Sequence, residues 1–121
     1  MEKTKIQSYK DLIVWQKSMD LVVAVYDLTS YFPGPEMYGL TSQMRRCSIS
    51  VPSNISEGFN RFHNKEYKQF LYVALGSCAE LETQTEIAAE LKYLDEKEKI
   101  FLLEKLDHES RMLGNLIKKL N

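Results

Sequence analysis

Apolar side chains recur every three to four positions along nearly the whole chain, and the pattern divides into four stretches. The first runs from about Lys10 to Leu28, with Leu12, Trp15, Met19, Val22 and Tyr26 in one row and Leu21, Val25 and Leu28 in a second. Two rows imply two buried faces, whereas a helix in a single bundle usually buries one stripe. Phe32-Pro33-Gly34-Pro35 marks the turn that follows, since proline lacks a backbone donor and disfavours helix in the residue before it. A second helix is predicted from Met37–Leu40 to Phe59, kinked at Pro52. The third takes Asn64 as its N-cap and carries Tyr67, Phe70, Leu71, Ala74, Cys78 and Leu81 on one face. It continues to about Leu94, a length of roughly 45 Å. Asp95 and Glu98 have capping-box spacing and open a fourth helix. Its Leu103, Leu106, Leu113, Ile117 and Leu120 form a seam interrupted by Ser110. No strand-like alternation competes, and short connections make consecutive helices antiparallel neighbours. The predicted fold is therefore all-α, an antiparallel up-down-up-down four-helix bundle forming one domain over residues 1–121, with 1–9 as a short flexible arm. Trp15, Met19, Met44, Val51, Phe70, Leu71, Leu103 and Leu106 are expected inside.

Polar positions on the second and third helices are as regular as the apolar ones. Gln43, Arg46, Ser50, Asn54, Glu57 and Arg61 form a stripe beside Leu40, Met44, Cys47, Val51, Ile55 and Phe59. Ser77, Glu80 and Gln84 form a matching set, with Val73 and Ile87 on the same face. One reading is a pair of solvated faces. The other is a polar network between helices or subunits, with Arg46 or Arg61 paired to Glu57 or Glu80, which would fix register more than it stabilises. Gly76 and Ser77 would admit a close helix approach, with a tolerated interruption the alternative for Gly76, while Gly58 reads as a helix C-cap.

Charge sharpens the picture at the ends of the bundle. The net charge of −1 argues against a generally basic nucleic-acid binder. Yet residues 41–72 hold five basic and two acidic side chains, against four basic and ten acidic over 80–109. The predicted topology gathers Lys3, Lys5, Lys10, Arg61, His63, Lys65, Lys68, Lys118 and Lys119 at one pole. The other pole collects Asp27, Glu36, Glu90, Asp95, Glu96 and Glu98, diluted by Lys92, Lys97 and Lys99. Helix-dipole complementation accounts for part of this placement; a basic rim that meets phosphates is the functional alternative.

DLIVWQKSMDL, FPGPEMYGLTSQMRR, SVPSNISEGFNR and FLYVALGSCAELETQ resemble the four-helix-bundle family of proteins encoded in intervening sequences of large-subunit (23S) ribosomal RNA genes. The resemblance covers roughly residues 10 to 95. It implies a small cytoplasmic bacterial bundle that assembles as a homopentamer and has no established enzymatic activity. More distantly, the chain is similar to the accessory proteins of diversity-generating retroelements, basic pentameric barrels that bind nucleic acid and a reverse transcriptase; this chain departs from them in being slightly acidic. Gln43, Arg46, Asn54, Glu57, Gly58, Arg61, Gly76, Ser77 and Glu80 match the family motif, which implies a structural or interfacial role for them.

Enzyme chemistry finds little purchase. Di-iron bundles use Glu-x-x-His pairs, and neither His63 nor His108 has a glutamate three residues before it. Cys47 and Cys78 lack CxxC spacing and read as free buried thiols. No GxxxxGK loop is present, and no segment is a membrane span. The expectation is a protein with no catalytic residues, metal or cofactor, working in the cytoplasm. Two functions remain: a homo-oligomeric scaffold that recruits a protein partner, and a ring that binds RNA or DNA, with little sequence selectivity, through its basic end.

Overall fold

The computed structural model describes residues 5–120 and carries four α-helices: α1 Ile13–Thr29, α2 Leu40–Phe59, α3 Asn64–Glu90 and α4 Glu96–Lys119. No strand occurs among the described residues, and no helix in them is long and apolar enough to cross a membrane. Each helix packs on its neighbour in sequence and α4 closes back on α1, leaving α1 and α3 diagonal. The core is built from Leu21, Val25, Met44, Val51, Ile55, Leu71, Leu81, Leu102, Leu106 and Leu113, all essentially inaccessible. The four-helix expectation holds.

Two connections meet at one pole. The Glu36 carboxylate accepts from the Leu40 backbone N–H through Oε1 (3.1 Å) and from the Tyr93 hydroxyl through Oε2 (2.8 Å). It thereby caps the start of α2 and ties the α1–α2 connection to the α3–α4 turn, and the Phe32 and Tyr93 rings pack at 5.3 Å beside it. The backbone donation from Leu40, then the hydroxyl donation from Tyr93, holds the Glu36 carboxyl below its ordinary range. The α2–α3 turn, Asn60 to His63, sits at the opposite pole. There Gly58 lets α3 approach: a Cβ on it would fall 2.8 Å from Phe70 Cβ and 2.9 Å from the Tyr67 ring.

Several local expectations change. Gly58 lies within α2 and serves helix contact rather than a C-cap. Asn64 is the first helical residue; His63 is the N-cap and caps nothing with its side chain. The third helix ends at Glu90, not near Leu94, because Lys92 turns left-handed (φ 65°). The Tyr93 and Lys92 amides then bond back to the Ala88 and Ala89 carbonyls, satisfying the helix end in a Schellman arrangement. α2 runs unbroken through a buried Pro52. The Asp95–Glu98 capping box forms as predicted. Residues Tyr9–Asp11 make a short 3-10 turn outside the main helix, capped by Ser8 and Asp11.

Burial also departs from the list. In α1 the inward residues are Val14, Leu21 and Val25, while Trp15 is half-buried and Met19 is 39% exposed. Both rows of α1 are apolar, and only the placement of α2 and α4 decides which enters the core. Phe70 is half-buried beneath Arg61, and Leu103 is half-buried because Leu102 takes the inward position.

Candidate functional site

The row of α1 that misses the core lies against α2 and forms an apolar groove. Tyr9, Trp15, Met19, Val22, Ile49 and Pro52 line it, with Ser53 and Ser56 at one edge; its volume is about 280 Å³. Tyr9 packs edge-on against Trp15 at 5.4 Å, which fixes the end of the groove. A second, interrupted apolar strip follows the diagonal helix α3, where Tyr72, Val73 and Ile87 and the capping Leu91 are exposed, with exposed Glu80 and Thr83 between the two pairs. Gly76 lies among them with nothing within 4 Å of where a Cβ would stand. The close approach predicted for Gly76 does not occur within the chain.

The polar stripes of α2 and α3 meet in a shallow cleft of about 320 Å³, lined by Gln43, Arg46, Cys47, Ser50, Ser77 and Glu80. At its floor the Ser50 and Ser77 hydroxyls bond at 2.8 Å, and the Asn54 amide donates to the Ser50 carbonyl (2.8 Å) and hydroxyl (3.0 Å). The Cys47 thiol donates to the Ser77 carbonyl at 3.1 Å. Gln43, Arg46, Glu57, Arg61 and Glu80 all face solvent. Of the pairings expected among them, Arg61 with Glu57 forms, as an exposed contact at 3.9 Å within α2. Arg46 makes no ion pair among the described residues, and eleven helical positions, roughly 16 Å, separate it from Glu57. Within one chain, then, the stripe is a hydrogen-bonded floor with an unpaired cation and an unpaired anion on its rims.

The basic pole assembles as the topology requires. Lys5, Lys10, His63, Lys65, Lys118 and Lys119 are exposed and Lys68 is half-buried, with no ion pair to any of them among the described residues. Lys3 lies outside the described residues. Of the carboxylates at this pole, Asp11 is occupied by the Gln7 and Ser8 backbone amides, which hold its pKa below the ordinary range, while Glu66 is exposed on the first turn of α3. Arg61 lies over the Phe70 ring at 4.8 Å. Sequence reasoning passed over Phe62, which stands wholly exposed in the α2–α3 turn at this pole.

It also passed over Glu109, the most unusual group in the core. Glu109 is 1% exposed, neither carboxylate oxygen has a hydrogen-bond partner, and burial pushes its pKa up to about 8. The signal was present in the spacing Leu102, Leu106, Glu109, Leu113, Ile117, one position away from the Ser110 taken as the interruption. Burial likewise raises the Cys47 and Cys78 thiols to about 11 and about 12, which removes the thiolate that nucleophilic chemistry would need.

A crystal structure of a protein of unknown function from the S23 ribosomal protein family of Bacteroides thetaiotaomicron has the same fold, with a TM-score of 0.82 over 88% of this chain and 96% of the other at 20% identity. No curated protein matches the chain. The 23S rRNA-intervening sequence protein family matches residues 10–115, nearly the whole bundle, and to that family the chain belongs.

Proposed function

We propose that this protein is a non-enzymatic homo-oligomeric scaffold, an interaction module that recruits a protein partner. The observation that carries this reading is the apolar row of α1, left outside the core and lying beside α2 as an open groove. Apolar surface of that extent beside a complete core is the usual mark of an interface. A second copy is the occupant the surface favours. The α1 groove and the α3 strip differ from each other and lie on diagonal helices, so a contact between them is head-to-tail, and repetition of such a contact closes into a ring when the rotation permits. Family resemblance favours five copies. In such a ring the unpaired rims of the Arg46 and Glu80 cleft acquire partners across subunits. Buried, high-pKa thiols support the absence of catalysis, and the family's link with ribosomal RNA supports a cytoplasmic setting.

Light scattering at micromolar concentration tests the assembly. The wild type should run as a closed oligomer and Met19→Asp as a monomer with an unchanged helical spectrum. A monomeric wild type overturns the proposal.

A second reading, RNA or DNA binding at the basic pole, is favoured by one observation: six exposed and one half-buried basic side chains share that pole without acidic partners among the described residues. A ring would repeat the pole and raise the effective concentration of each phosphate contact.

A further inference from the structure

We propose that Phe62 is a stacking platform for an unpaired base, so that the nucleic acid recognised at the basic pole is single-stranded. The inference rests on the second reading above and gives it a ligand class. A single exposed apolar residue is ordinary, but three features set Phe62 apart. It is 100% exposed, contributing nothing to the core. It lies between Arg61 and His63 in the chain, with Lys65, Glu66 and Lys68 on the first turn and a half of α3, so cations outnumber the one carboxylate in the segment that carries it. And it is carried on a short turn whose two flanking helix ends are hydrogen-bonded. The Asn60 amide bonds to the Ser56 carbonyl at 3.3 Å, the Arg61 amide to the Gly58 carbonyl at 3.0 Å, and the Tyr67 amide to the His63 carbonyl at 3.1 Å.

Arg61 completes the arrangement. Its guanidinium is drawn down over the Phe70 ring and toward Glu57, which leaves the next side chain projecting alone. An aromatic face beside cations is how proteins hold single strands without reading sequence, because every base offers a π-face and every nucleotide a phosphate. A duplex hides its bases in the stack and offers only phosphates, so it gains nothing from Phe62.

Fluorescence anisotropy with labelled oligouridylate, oligothymidylate and a duplex of equal length, across a salt series, tests the assignment. Wild type, Phe62→Ala and Lys65→Ala/Lys68→Ala are compared. Loss of stacking should weaken single-strand binding about 10- to 100-fold in Phe62→Ala, with duplex binding and the salt slope unchanged. The lysine variant should weaken binding to all three and flatten the salt slope. Because Phe62 touches no core residue, its variant should melt at the wild-type temperature. Equal single-strand affinity of wild type and Phe62→Ala overturns the platform while leaving the basic-pole reading intact if the lysine variant is impaired. Absence of binding by wild type at low salt overturns both. Phe62-dependent binding to anionic lipid vesicles without binding to either oligonucleotide likewise overturns it.

Discussion

Glu109 has no counterpart charge among the described residues to explain its burial, and its consequence is a dependence of stability on pH opposite to that of most carboxylates. Burial raises its pKa from 4.5 to about 8 in the folded chain. Between those values the native state keeps a proton that the unfolded chain has released, so the folded state is favoured at low pH and disfavoured as pH rises. The Glu109 contribution should be full below about 4.5, fall by about 1.4 kcal/mol per pH unit, and level off above about 8. Denaturant melts at pH 6 and pH 8 should separate accordingly, and Glu109→Leu should abolish the difference and raise stability at pH 8. Lys92 offers a second measurement at this scale. Its left-handed backbone costs about 1 kcal/mol that glycine would not incur. Lys92→Gly should therefore raise the melting temperature. The spacing pointed to a polar interruption of the α4 seam but not to which residue makes it, and nothing pointed to Lys92. A helical period identifies an inward position only to within one residue, so Ser110 and Glu109 were interchangeable. The left-handed turn, for its part, occurs at a lysine where a glycine would have announced it.

Among the elements, the helices themselves were readable because each carries an apolar stripe and explicit punctuation: the Pro33–Pro35 turn and the Asp95 box. What remained unreadable was which of two equally apolar rows on α1 enters the core, since that depends on where α2 and α4 stand. Two glycines separate a contact within the chain from one outside it. Gly58→Ala places a methyl into Tyr67 and Phe70 and should destabilise by about 1–3 kcal/mol. Gly76→Ala meets open space, so in a lone bundle it should stabilise α3 by about 1 kcal/mol. In the proposed ring the same methyl lies on the α3 strip. A gain in thermal stability accompanied by loss of the oligomer on light scattering is the expected result; a gain with assembly unaffected would remove Gly76 from the interface. Asp95→Ala should cost about 1 kcal/mol by deleting the α4 cap, read by denaturant melts.

For the whole molecule, the candidate site divides into parts the sequence could and could not supply. The basic pole was legible, because alternating helix direction is enough to gather distant lysines at one end. The polar stripe was legible as a stripe but not as a network: Arg46 and Glu57 share a face of α2 without touching, Glu57 pairs with Arg61 instead, and Arg46 has no ion pair among the described residues. Single replacement of Arg46 should cost on the order of 3 kcal/mol in the assembled protein if the cleft is buried there, and less than about 1 kcal/mol if it stays in solvent. Thermal melts of Arg46→Ala above and below the concentration of assembly distinguish the two outcomes. The poles also differ mechanically. Through Glu36 and Tyr93, residues 57 positions apart in sequence are joined side chain to side chain, so the acidic pole acts as the hinge of a clothes-peg and the basic pole as its jaws. Thermal opening should begin at the jaws. Amide hydrogens of Lys65 to Phe70 should then exchange faster than those near Tyr93, and Glu36→Ala, which uncaps α2 and releases the hinge together, should erase that gradient by loosening the protected end.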